Sequence, residues 1–213
     1  MSDPAEIYFE EEKHWTYADY KNWELKAGER YEVLNGIAYA MSAPNDAHQA
    51  ISVELTMQIA SFLHGQICKI RVAPYDVRLY YEEDESDDTI VQPDISVICD
   101  PKKRGTEGCR GAPDFVIEIL SPSNTSEDTI RKFNLYMDAG VREYWIVAPE
   151  TKTVFVYQFE GGGIKSKAVY ENAAPAAAAE SGSQPAVAVH PVYAPVEAIE
   201  GLTINLTDVF AGL

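Results

Sequence analysis

The sequence predicts an α/β fold in one domain spanning residues 1–213, and three features carry that expectation. Phe115-Val116-Ile117-Glu118-Ile119-Leu120 and residues 142–148 are two apolar strand-like runs separated by a helix-length stretch, the pattern of a β-α-β unit with parallel strands. Two short apolar runs flank Asn35-Gly36, the strongest local signal for a hairpin, because both residues tolerate positive φ. Between these features, Ile51, Leu55, Ile59 and Phe62 recur at helical spacing.

In chain order, residues up to about His14 read as a loose tail. Thr16, with Asp19 three residues on, caps a short helix whose apolar side is Tyr17, Tyr20 and Trp23, ending at Gly28. The hairpin follows, with Glu32 in its first strand. Pro44 to Gln49 opens the next helix, Gln49 standing at capping-box distance from Asp46, and Gly65 closes it. Residues 67–73, 76–81 and 94–99 read as strands. The acidic run 82–88 between the last two reads as a solvated loop, without the glycine and terminal glutamate of a calcium-binding EF-hand loop.

Lys102, Lys103, Arg104 and Arg110 make the densest positive cluster, on a loop that fits either plain solvation or a phosphate contact. Asn124, with Glu127 three residues on, caps a helix running to Ala139, and Gly140 ends it. Residues 153–159 and 164–170 form a hairpin around Gly161-Gly162-Gly163. Residues 172–195, rich in Ala, Pro, Ser and Val, read as a low-complexity insertion. Residues 197–206 then read as a strand, and 206–210 as a short helix.

Composition narrows the function. At 46% hydrophobic and 24% charged residues the chain is globular rather than disordered. No apolar run is long enough to cross a bilayer, and the acidic N-terminus lacks a signal-peptide pattern, so the expected location is the cytoplasm. Cys68, Cys99 and Cys109 form no CxxC pair and are odd in number, which argues for reduced thiols rather than a disulfide framework or zinc site. The formal net charge is −17, so long-range attraction to a polyphosphate is excluded. Any nucleic-acid chemistry must come from a local site.

Two carboxylates point to such a site. Glu118 interrupts a run that is apolar on both faces, where an acid is costly unless paired or bound to a cation. Asp94 opens another apolar strand directly after Pro93. Acids on adjacent strands can share a divalent cation such as Mg2+, which prefers oxygen ligands and keeps positions for water and phosphate. An ordinary buried acid bonded to backbone or to Arg142 fits the spacing equally. His48 shares a helical face with Ile51 and Leu55, and fits both a hydrogen-bonded core histidine and a site-lining one.

Val91-Gln92-Pro93-Asp94 followed by Phe115-Val116-Ile117-Glu118-Ile119-Leu120-Ser121-Pro122-Ser123 resembles the PD-(D/E)XK nuclease signature, and the chain is similar to the Uma-two family of restriction-endonuclease-like proteins. Tyr31 to Gly36, Pro44 through His48-Gln49, Lys132 with Tyr136, and Ala139 to Val147 match as well; the last is the closest match. The resemblance covers about residues 17–170 and resumes at 197–210.

It implies a restriction-endonuclease-like core, a mixed sheet flanked by helices. It also implies a Mg2+- or Mn2+-dependent endonuclease acting on DNA, with metal held by Asp94 and Glu118 and with Glu32 as a third acid. Restriction-like domains often act as dimers, so a homodimer is expected. In the superfamily a lysine stands two residues after the second acid; here that position is Leu120. Lys132, on the following helix, is the nearest replacement, although it lies off the Ile130, Phe133, Met137 stripe. The missing lysine and the acidic charge also fit a domain that keeps the fold as a catalytically silent binding or scaffold module.

Overall fold

A computed structural model describes residues 13–172 and 191–213. Two sheets and two long helices organise them. The elements are α1 (Tyr17–Tyr20), β1 (Tyr31–Leu34), β2 (Ile37–Ala40), α2 (Asp46–Leu63), β3 (Lys69–Val72), β4 (Val77–Arg78), β5 (Ile90–Val91), β6 (Ile95–Ile98), β7 (Cys109–Arg110), β8 (Phe115–Ile119), α3 (Ser126–Ala139), β9 (Glu143–Ala148), β10 (Thr153–Glu160), β11 (Gly163–Glu171), β12 (Tyr193–Pro195), β13 (Thr203–Asn205) and α4 (Leu206–Val209).

The larger sheet has the order β11-β10-β9-β8-β6-β3, and the smaller β2-β1-β5-β4-β7; β12 and β13 pair separately. β8 and β9 are parallel, as the β-α-β reading requires, and the other strands of the larger sheet pair antiparallel. The fold is thus a mixed α+β arrangement with sheets flanked by helices.

The side-chain alternation of β8 sorts its residues into two cores. Phe115, Ile117 and Ile119 join Trp145 and Val147 against Ile51, Leu55 and Ile59 of α2. Val116 joins Tyr144 and Ile146 against Leu135 and Tyr136 of α3. Glu118 has the parity of Val116, so it stands on the α3 face. Asn35 (φ 51°) and Gly36 (φ 78°) make the hairpin turn of β1 and β2 in the left-handed region, as their chemistry predicts.

Several boundaries differ from the sequence reading. Thr16 and Asp19 do form a capping box, but α1 ends at Tyr20 rather than near Gly28. Trp23 leaves the helix to stack between Trp15 (4.4 Å) and Tyr31 (4.5 Å), aromatic burial outweighing a few more helical residues. The cap of α3 is Thr125 with Asp128, one residue later than Asn124 with Glu127, because the Asn124 side chain accepts the Ser121 amide instead (2.7 Å). Ile130 is 61% exposed, so the buried stripe of α3 runs through Leu135 and Tyr136.

The acidic run is not wholly solvated. Asp87 is buried and pairs with Arg78, whose guanidinium also stacks on Tyr17 (3.7 Å) and Tyr81 (4.4 Å). A buried acid needs such a partner, and the short strand β5 follows directly.

The cysteine expectation is corrected too: Cys68 and Cys99 form a disulfide, leaving Cys109 free and buried. They flank the paired residues Lys69 and Ile98 of β3 and β6. Sequence parity excluded a framework but could not reveal a single bridge across neighbouring strands. Most of the supposed insertion lies outside the described residues, but its last part is not a loop: β12 pairs with β13, placing Ala194 opposite Ile204, both fully buried. The expected strand 197–206 is accordingly only β13, preceded by a turn.

Candidate active site

Pro93-Asp94 stands where the chain passes from β5 in the smaller sheet to β6 in the larger one. Proline has no amide to donate to a ladder, so it suits this crossing. The passage brings β1 of one sheet next to β8 of the other, and four residues expected from the sequence converge there: Glu32, Asp94, Glu118 and Lys132.

Lys132 links the acids. Its ammonium donates to Glu118 Oε1 (3.0 Å) and contacts both Glu32 oxygens, Oε1 at 2.9 Å and Oε2 at 2.8 Å. Tyr136, one helical turn on, donates its hydroxyl to the same Glu118 Oε1 (2.6 Å). Asp94 Oδ2 accepts the Ile119 amide (2.8 Å) and faces His48 Nε2 at 3.1 Å. His48 therefore both packs on the buried face of α2 and lines the site. Arg142, considered a partner for Glu118, pairs with Asp114 instead.

Glu32 is held further by the Gln92 amide, which donates to Oε1 (2.7 Å). The Gln92 side chain is itself fixed: Oε1 accepts from Arg30, while Nε2 donates to Asp76 (2.8 Å) and the Tyr20 oxygen (3.0 Å). This network has no separate sequence signature, whereas Tyr136 stands with Lys132 among the positions that match the family resemblance. The spacing of Lys132 and Tyr136 on one helical face was the available hint.

The electrostatics follow from burial and crowding of like charges. Burial pushes the Glu118 carboxyl up to about 7; Asp94 and Glu32 push the same way, while Lys132 and the Tyr136 hydroxyl pull back. Burial alone would lower the Lys132 ammonium, but Glu118 and Glu32 outweigh it and hold its pKa above the ordinary lysine value. Lys132 is thus a fixed cation at neutral pH rather than a proton acceptor. Burial likewise opposes protonation of His48, and the bond to Asp94 overrides it, raising its pKa.

The basic cluster Lys102 to Arg110 is not part of this site. Asp94 immediately precedes β6, whereas the cluster follows the other end of that strand; Lys103 and Arg104 donate to the carbonyls of Ala112 and Ile67.

Residues 17–186 match the Uma2 family, described as "Putative restriction endonuclease". The chain belongs to that family. An uncharacterized protein of Synechocystis sp. (strain ATCC 27184 / PCC 6803 / Kazusa) is 29% identical over 146 residues, covering 68% of this chain and 74% of the relative. The fold is similar to a crystal structure titled as a putative nuclease belonging to DUF820 from Anabaena variabilis ATCC 29413, with TM-score 0.65 and 21% identity, covering 92% of this chain and 97% of that one. Membership of Uma2 supports a nuclease function in general terms.

Proposed function

We propose that this Uma2 protein is a Mg2+- or Mn2+-dependent endonuclease that hydrolyses DNA phosphodiester bonds. The observation that carries the reading is the ammonium of Lys132 held between Glu118 and Glu32 beside Asp94. Hard carboxylate oxygens with no thiol among them suit magnesium or manganese. Among the described residues no group of three or more His, Cys, Asp or Glu is arranged to hold an ion; the reading therefore takes one or two carboxylates as the protein's share of the ligands, with water and phosphate supplying the rest.

Asp94 and Glu118 would hold the cation. When bound, it supplies an activated water and neutralises charge on the phosphodiester. Lys132 keeps a positive charge where the water oxygen adds to phosphorus and one P–O ester bond breaks, stabilising the charge that develops on the phosphoryl oxygens. Tyr136 and the Ile119 amide keep the two acids in place. With a formal charge of −17, capture of DNA depends on this local geometry rather than on the general field.

The test is cleavage of supercoiled plasmid and of labelled oligonucleotides in millimolar Mg2+ or Mn2+, with Asp94→Asn and Glu118→Gln as controls. The reading expects metal-dependent nicking that chelation abolishes and that both variants lose. Metal binding without cleavage of any DNA would favour the silent binding module instead.

A further inference from the structure

Counting donors oxygen by oxygen divides the three acids into two roles. Glu32 has both oxygens engaged by the protein: Oε1 takes the Gln92 amide and Lys132, and Oε2 takes Lys132. Glu118 has only Oε1 engaged, by Lys132 and by Tyr136. Asp94 has only Oδ2 engaged, by the Ile119 amide and His48. Glu118 Oε2 and Asp94 Oδ1 have no hydrogen-bond partner among the described residues. Exposure agrees with the division: the side chains of Asp94 and Glu118 are 18% and 13% exposed, that of Glu32 only 6%.

We infer that Glu32 is the anchor of Lys132 rather than a cation ligand, and that Tyr136 and His48 are positioning residues which each occupy one oxygen of Glu118 and Asp94 and so aim the other at the cation. This deepens the proposed reading and rests on it. A carboxylate rotates freely about its last bond unless one oxygen is fixed, and a neighbouring donor that fixes it sets which lone pairs meet the metal. Tyr136 can do this because it follows Lys132 by one turn of α3, placing hydroxyl and ammonium on the same oxygen. His48 does so from α2 on the opposite side of β8. Glu32, saturated by three contacts, would have to surrender Lys132 before it could bind an ion.

The experiment is Mn2+ binding to the full chain, followed by paramagnetic resonance of free and bound Mn2+, with apo melting temperature recorded in parallel. The wild type, Asp94→Asn, Glu118→Gln, Glu32→Gln, Tyr136→Phe, His48→Ala and His48→Gln are compared. If the wild type binds no Mn2+, the underlying metal reading fails and the division of roles fails with it. If it binds, Asp94→Asn and Glu118→Gln should lose binding, while Glu32→Gln should keep its Kd within about threefold.

Tyr136→Phe and His48→Ala should weaken binding about tenfold or more, the range for groups that orient ligands, and should broaden the bound Mn2+ spectrum. His48→Gln, whose amide nitrogen can replace Nε2, should recover part of the loss. A Glu32→Gln variant that loses Mn2+ as Glu118→Gln does would overturn the anchor role. Unchanged Mn2+ affinity and spectrum in Tyr136→Phe and His48→Ala would overturn the positioning roles, even where melting temperature falls.

Discussion

Lys132 Nζ lies 3.0 Å from Glu118 Oε1, although fourteen residues and a change of secondary structure separate them. The superfamily lysine would stand on the same strand as the acid, at the position of Leu120. Here helix α3 folds back on its own strand and a four-carbon side chain covers the distance. Lys132→Ala should therefore lower cleavage about 10²- to 10³-fold, the cost of removing a group that stabilises transition-state charge. Mg2+ affinity should not weaken. Single-turnover kinetics alongside metal titration separate the two effects, and full activity in the variant would remove Lys132 from the mechanism.

Stability should respond to pH in a particular direction. The native Glu118 keeps its proton up to about 7, against an ordinary value of 4.5. Between those values the folded state binds a proton that the unfolded chain has lost, so stability falls as pH rises through the window. His48 adds the same sign, since its raised pKa gives stability below 6.5 that is lost as pH rises through the folded value. Urea midpoints of the metal-free protein should decline from pH 5 to pH 8, and Glu118→Gln should flatten the decline. A midpoint that rises for the wild type and not for the variant would contradict the shift.

The bridge between Cys68 and Cys99 spans a sequence separation of 31, which predicts a stabilisation of about 3–4 kcal/mol through the unfolded chain. Thiol titration of the denatured, unreduced protein should count one free thiol, Cys109, and three after reduction. Reduction should lower the melting temperature. Because such bridges are rare in reducing compartments, three free thiols in freshly purified protein would match the cytoplasmic expectation and refute the bridge.

Ala194 and Ile204 test the correction to the low-complexity segment. Both are fully buried and face each other across β12 and β13, against the α2 side of the larger sheet. Ile204→Ala should cost about 2–5 kcal/mol in urea unfolding, whereas an effect under 1 kcal/mol would mean that this pair adds little to the core.

A homodimer is proposed through the outer edge of the larger sheet. Among the described residues strand β11 is the terminal strand there, and it exposes Ile164 (52%) and Val169 (54%). Light scattering should give twice the chain mass at micromolar concentration, and Val169→Lys should give the monomer. A monomer in the wild type would reject the interface.

What the sequence made legible was whatever local chemistry determines. The Asn35-Gly36 turn, the α2 periodicity and the parallel pairing around α3 each depend on neighbouring residues, and each is present. Asp94, Glu118, Glu32 and Lys132 were recognisable because a buried acid is costly and because the set resembles a family signature. Contacts between residues far apart in sequence were not legible. Asp87 looked solvated because Arg78 and its two tyrosines come together only in the fold. Cys68 and Cys99 looked unpaired because strand register, not spacing, makes them neighbours. The Gln92 amide meets Glu32 only through the pairing of β1 with β5, which residue spacing does not reveal.

The central claim is that Asp94 and Glu118 bind a divalent cation, and isothermal titration of Mg2+ into the wild type and Asp94→Asn tests it most directly. The account predicts a saturable site in the wild type that is lost or strongly weakened in Asp94→Asn. Equal binding by the two proteins, or none by either, would contradict it.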